Sequence, residues 1–431
     1  MPKHIPQQLE FLSFSIYLLL FTWAVTRTRF FVNSGISRQQ LAMLFLLKVM
    51  VGIIYGWIGI YDGNLAQMAD TWNHHFESLK QTSLLFQNPR LYFTDAFEGM
   101  NTNDVSSFFS STNSYWNNLK QNAYVKIISI FNCFSFGNYY INVIFYSYFT
   151  FFGVVAIYKV MKHHLQSKQV ILIISCFLIP SFIYWCSGLH KDGLTFLAVA
   201  IIIYNFYFYV IKGVLKPKPV FLLLFGFFLL FIFRNHILVV LAPSLLAWGL
   251  AAKWPKKALL IFAIVYSVGA LCFFGLKYIH PALDFPAFVA EKQNAFNNLA
   301  GGKTSIAVKN LEPDATGFLK NLPQSVSLSF LRPYLSDVYK PIILPAFIEQ
   351  ILIILLLALS KKKKKKNVRF SAFSLFIAFF VISVYLMIGY TVNNLGAIVR
   401  YRSFLLPIYL PFVLSVIDWE KLRKLFYTKK T

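Results

Sequence analysis

The feature that most limits this chain is a series of eleven apolar runs, each followed by a stretch that carries charge. They cover 11–25, 41–61, 138–158, 169–186, 194–211, 219–233, 235–252, 258–276, 341–360, 370–390 and 403–417. A bilayer core of about 30 Å takes roughly 20 apolar residues in helix, and fewer where the membrane is thin. Backbone in hydrocarbon must satisfy its own hydrogen bonds, which leaves helices and closed barrels. Runs this long, without period-two alternation, predict helices. Composition closes the soluble routes: 57% of residues are hydrophobic and 13% charged, against about 45–50% and 25% in ordinary domains. A soluble enzyme, a disordered chain and a disulfide scaffold are excluded. The expected fold is an all-α polytopic membrane bundle of about eleven helices. It forms one transmembrane domain over 1–431, with long connections at 62–123 and 278–340.

The charges orient it. Connections after the odd-numbered runs, with the C-terminal tail, hold 24 Lys and Arg, while the short connections opposite hold only Lys191, Arg234, Arg400 and Arg402. Cation-rich connections stay in the cytoplasm, so the expected N-terminus is outside, the C-terminus inside and both long connections outside. Twelve of the sixteen acidic residues, Asp62 to Asp337, fall on that outer side. Lys3 and His4 precede a first run that lacks a small-x-small cleavage site and is followed by Arg27 and Arg29, which predicts a retained span. The lysine run 361–366 reads as a topology anchor or anionic-lipid contact. A net charge of +25 is dealt out between apolar runs and does not gather on one soluble face, so it predicts no nucleic-acid partner. Cys133, Cys176, Cys186 and Cys272 show no metal or disulfide spacing.

Ionisable groups in or beside a membrane are functional candidates because leaving them unpartnered there is expensive. Arg234-Asn235-His236 separates two apolar runs of about 15 residues, which places Arg234 and His236 at or below the outer surface; a snorkelling arginine at a helix end is the simpler alternative. Ser187 to Gly193 sets His190, Lys191 and Asp192 between two glycines before a helix start, a position that favours anions. A tight turn capped by Asp192 explains it equally well. Arg400 and Arg402 share a side if their backbone is extended, and diverge by about 200° in a helix. Arg332 reaches the same outer side or pairs with Asp337, after an amphipathic stretch at 317–331. In the first long connection, Asp62 and Asp70 suit a base or a hydroxyl-orienting carboxylate. His74-His75-x-Glu77 offers a metal poor geometry, since adjacent helical histidines point apart. Within the runs only Lys48 and Glu349 are ionisable, and they could pair across the bundle.

Together Arg234, Arg332, Arg400, Arg402 and Lys191 supply up to five outer cations, and His236, His190, Asp62 and Asp70 can move protons. Positioned cations stabilise the charge that develops on a departing diphosphate. The pattern resembles bacterial envelope-polysaccharide membrane proteins: O-antigen polymerases, EpsG-like proteins and C-type glycosyltransferases. Cys186 to Gly193, Phe330 to Tyr334 and Gly396 to Arg402 carry the resemblance, with the outward arginines and long outer connections. It implies polyprenyl-diphosphate-linked oligosaccharide as substrate, membrane lipids as surroundings, the bacterial cytoplasmic membrane as location, and no nicotinamide, flavin or nucleotide cofactor; the geometry of His74-His75-x-Glu77 predicts no metal. It also implies a catalytic acid in the first outer loop, which Asp62 or Asp70 matches in type and side but not in position, since that loop follows the second span here. A flippase of lipid-linked sugars would show polar or broken helices near the midplane. A non-catalytic assembly protein would tolerate loss of each outer arginine.

Overall fold

The computed structural model describes residues 8–61, 66–95, 115–214, 216–298, 304–360 and 371–419. Among them the chain is helical and has no strand, apart from one antiparallel bridge between Ser305 and Asn394. Eight helices are long and apolar enough to cross a membrane, or ten if each of two bent pairs is one span. That is the mark of a multi-pass helical membrane protein. Asp62 and the 361–366 lysine run lie outside the described residues.

The chain divides into two compact units, the first built from Met1–Lys159, Phe182–Val239 and Ala287–Lys303, the second from the remainder. The helices run in the order α1 (Gln8–Arg27), α2 (Arg29–Val32), α3 (Arg38–Tyr61), α4 (Ala66–Gln87), α5 (Pro89–Thr94), α6 (Tyr115–Ser135) and α7 (Tyr139–Leu165). Then come α8 (Gln169–Phe177), α9 (Pro180–Ser187), α10 (Lys191–Lys212), α11 (Pro217–Lys253) and α12 (Ala258–Gly275). The last are α13 (Phe285–Asn297), α14 (Ala315–Val326), α15 (Leu344–Ser360), α16 (Ala372–Thr391), α17 (Leu395–Ser403) and α18 (Leu406–Val416).

In the first unit α3 packs against α1 and α4, and α4 against α6. The described part of the first long connection is therefore almost all helix, with apolar faces to bury. Trp72 of α4 stacks on Tyr139 at 3.9 Å, and its indole N–H donates to the Gly56 carbonyl at 2.9 Å. In the second unit α18 packs on α8 and α15, while α16 meets α12, α14 and α17. Gly389 lets α16 approach the backbone of Ser325 so closely that a Cβ would collide with it.

Three places differ from their sequence reading. The 169–186 run bends by 50° between α8 and α9, where Pro180 disfavours helical backbone at the residue before it. The 219–233 and 235–252 runs join in α11, whose one non-helical residue is Arg234, with φ −148° and ψ 64°. The 393–402 connection is not extended but helical: it forms α17, set at 71° to α18.

Lys48 and Glu349 bind helix ends instead of each other. In the first unit Lys48 Nζ donates to the carbonyl of Cys186 at 2.7 Å and to Ser187 Oγ at 3.3 Å, at the end of α9. In the second, Glu349 accepts the Ser181 N–H at 2.8 Å and its hydroxyl at 2.5 Å, at the start of α9. Each charge opposes the partial charge of the helix end it meets.

Candidate functional site

The Ser187–Gly193 stretch is held by its carbonyls. Lys48 takes Cys186, Thr71 Oγ1 donates to Leu189 at 2.9 Å, and the Tyr146 hydroxyl donates to His190. Its glycines are there for close approach. A Cβ on Gly188 would run into the Tyr55 ring, and one on Gly193 would meet the Tyr146 hydroxyl and stand 2.8 Å from the Cys186 carbonyl oxygen. Neither has a left-handed backbone.

On this platform Asp192, 4% exposed, joins two cation-capable partners. Arg234 Nη2 lies 2.7 Å from Oδ1, and His190 Nδ1 lies 2.9 Å from Oδ2. The N-cap position of α10 is His190, and Asp192 lies in its first turn. A carboxylate removed from water needs such partners. The break in α11 is what delivers Arg234 there, and the next residues serve the same place. Asn235 Oδ1 accepts the His236 N–H at 2.9 Å and Lys120 Nζ at 3.4 Å.

Lys120, from α6, reports the local field. Burial first, then repulsion from Lys292, Arg234 and Lys191, lowers its ammonium from the usual 10.5 to about 8. Four cations thus act on one small region, three from separate helices besides the one in α11. Beside them, the His74 ring lies 5.2 Å from Tyr124 and 6.4 Å from His190. The Tyr124 hydroxyl is buried without a hydrogen-bond partner among the described residues. Burial, then Tyr146, Tyr139, Tyr55 and Asp192, raises its pKa well above the phenol range, so it stays a neutral donor.

Asp70 sits one turn before His74 on the same face of α4 and is half-buried. His75 turns the other way, to within 5.4 Å of the Tyr139 ring, and burial lowers it to about 4. The two adjacent histidines accordingly meet different neighbours, and among the described residues no three metal-ligating side chains gather.

The second unit holds the other three arginines. The helical α17 separates Arg400 from Arg402, as their spacing requires. Arg402 is 2% exposed, and its Nη1 donates to the carbonyls of Ser329 at 3.2 Å and Arg332 at 2.7 Å. Gln350 Nε2 serves Phe330 at 2.6 Å. These are carbonyls that the wide last turn after α14 leaves unsatisfied. Arg332 Nη1 meets Asp337 Oδ1 at 3.1 Å, and the other Asp337 oxygen accepts the Tyr334 N–H at 2.8 Å. Arg400 is half-buried, 5.6 Å from the Tyr401 ring centre.

The structure thus brings Arg234, His190, Lys191 and His236 to one region of the first unit, with Asp70 a turn away. It adds Lys120, Lys292, Asn235 and Tyr124, which sequence reasoning missed. Lys120 and Lys292 stand among many charges of the long connections, and only their helical partners single them out. No family model, characterised relative or solved structure matches this chain.

Proposed function

We propose that this protein transfers sugars from a polyprenyl-diphosphate carrier, or joins such units, at the outer face of a bacterial cytoplasmic membrane. The observation that carries the reading is the cation group Lys120, Lys191, Arg234 and Lys292 around the single bridging carboxylate of Asp192. A region in which cations repel one another by this much is a region that an anion stabilises. A diphosphate gains most, because its charge grows as the carrier departs and fixed cations need no reorganisation. In this reading Arg234, Lys120, Lys191 and Lys292 hold the diphosphate, and His190, His236 or Asp70 handles the acceptor proton. Arg402, spent on the Ser329 and Arg332 carbonyls, and Arg332, spent on Asp337, are given no part in it. The topology that goes with it has eleven spans, the N-terminus outside and the C-terminus in the cytoplasm.

A second reading, a flippase of lipid-linked sugars, is favoured by the two bent helix pairs, since broken helices line transport sites. One experiment separates the two. Purified protein is placed in liposomes with lipid-linked repeat units on the accessible outer side. Longer glycans are expected from the wild type, and about tenfold fewer from Arg234→Lys, which keeps the charge and loses the bidentate fork. Movement of labelled lipid between leaflets without elongation would overturn the transferase reading.

A further inference from the structure

Three features converge on His190. It is 2% exposed, yet it is set among half-buried groups that include Lys191, Arg234 and His74, so its imidazole sits one side chain below the surface. Its Nδ1 faces Asp192 Oδ2 at 2.9 Å, and the other oxygen of that carboxylate is held by Arg234 at 2.7 Å. Its backbone is fixed on both sides, by Thr71 through Leu189 and by Tyr146 through its own carbonyl. The Arg234 guanidinium pairs with one oxygen of the Asp192 carboxylate, and the other accepts a hydrogen bond from Nδ1–H. That selects one tautomer and leaves Nε2 as the basic atom.

We propose that His190, oriented by Asp192, is the group that deprotonates the acceptor sugar hydroxyl, in preference to His236 or Asp70. This rests on the transferase reading above. The step balances as follows. The acceptor oxygen attacks the anomeric carbon and forms the glycosidic C–O bond, while its proton passes to His190 Nε2. The bond between the anomeric carbon and the diphosphate oxygen breaks, and its electron pair leaves with the polyprenyl diphosphate. The imidazolium then yields the proton to water.

Geometry prefers His190 on two counts. His236 follows the backbone break in α11, and among the described residues no carboxylate meets its ring, so nothing there selects a basic nitrogen. Asp70 lies one helical turn before His74 on α4, and it is the His74 ring that lies 6.4 Å from His190. The Tyr124 hydroxyl, buried without a hydrogen-bond partner among the described residues and beside His74 at 5.2 Å ring to ring, supplies a donor that a bound sugar can satisfy.

Asp192 is then a positioning residue, and Arg234 serves both the carboxylate and the diphosphate. The titratable or charged groups around the imidazole are Asp192, Arg234, His74, Lys191 and, through its backbone contact, Tyr146.

The decisive variant is His190→Asn, whose amide N–H still donates to Asp192 and so keeps the structural bond while removing the base. In the liposome assay it should bind lipid-linked repeat units with near wild-type affinity and elongate them at least ~100-fold more slowly. The fall of the wild-type rate at acid pH, where the base takes up a proton, should vanish from its residual rate. His236→Asn should keep the acid limb of the wild-type pH profile. Elongation by His190→Asn within fivefold of wild type, or a residual rate with the wild-type pH profile, would overturn the role. Should His190→Asn not fold, His190→Gln is measured in the same way, and the same outcomes support or overturn the role. A wild type that elongates nothing overturns the transferase reading itself, which is a different result from elongation that survives the substitution.

Discussion

Arg234 and Arg402 look alike in the sequence: each is an arginine on the side where cations are scarce, next to an apolar run. Their surroundings are unlike. Arg234 keeps 15% of its side chain exposed and spends one nitrogen on a carboxylate, among other cations. Arg402 is buried and spends Nη1 on two backbone carbonyls at a helix end. The first sits in an excess of positive charge that a ligand can relieve. The second completes the backbone bonding of its own unit. A cation's partners, and not its place along the chain, decide which work it does.

The strongest way to break that contrast is Arg402→Ala. Two hydrogen bonds from a charged donor, worth about 1.5–3 kcal/mol each, are lost, and two carbonyls are left unsatisfied in apolar surroundings. The variant is expected to lose about 3 kcal/mol or more, read as a much lower Tm and aggregation in detergent. Arg234→Lys should hold its Tm within a few degrees and lose anion affinity instead. A stable Arg402→Ala with weakened binding would exchange the two roles.

Next in size is Gly188→Ala. The added methyl meets the Tyr55 ring, and overpacking of this kind costs about 1–3 kcal/mol. Both Tm and elongation should fall, because the ring and the motif cannot separate without moving His190. Wild-type behaviour from Gly188→Ala would mean that the platform yields and that the first site is as adjustable as its exposure suggests.

The smallest effect is a pH dependence with two opposite signs. The Lys120 ammonium ionises near 8 in the fold and near 10.5 when unfolded. Between those values the unfolded chain binds more protons, so stability rises with pH across that window. Anion affinity runs the other way and falls as pH climbs through 8, since the cation is being lost. Titrating pyrophosphate against Tm from pH 7 to 10 should show both trends, each a few-fold in affinity or a few degrees in Tm. Lys120→Met should flatten them. If affinity holds steady across pH 8, Lys120 is not part of the anion site.

Much of the fold was legible because a bilayer imposes one rule, length of apolar run, and the eight long apolar helices obey it. The interruption at Arg234 was visible for the same reason, since three polar residues inside apolar sequence have few places to go. The bend at Pro180 carried a local signal that run length overrode. The helical α17 did not, because Asn393 to Arg402 is polar enough to pass for a loop. Lys48 and Glu349 were rightly marked as needing partners, but helix ends satisfy a buried charge as well as an opposite charge does, and sequence does not show where helix ends lie. The site was half legible. Arg234, His190 and Lys191 stood out as charges in short connections, whereas Lys120 and Lys292 come from long connections whose packing no periodicity reveals.

The three pinned carbonyls of Cys186, Leu189 and His190 make that stretch a stator. With its carbonyls held from α3, α4 and α7, it is expected to move less than Arg234, the one non-helical residue of α11, where a backbone rotation would change the separation of the guanidinium from Asp192. Fluorine probes placed at 189 and at 236 should respond to pyrophosphate unequally, with the signal at 236 shifting and the one at 189 standing still. Equal shifts at both would mean that the stretch moves as well.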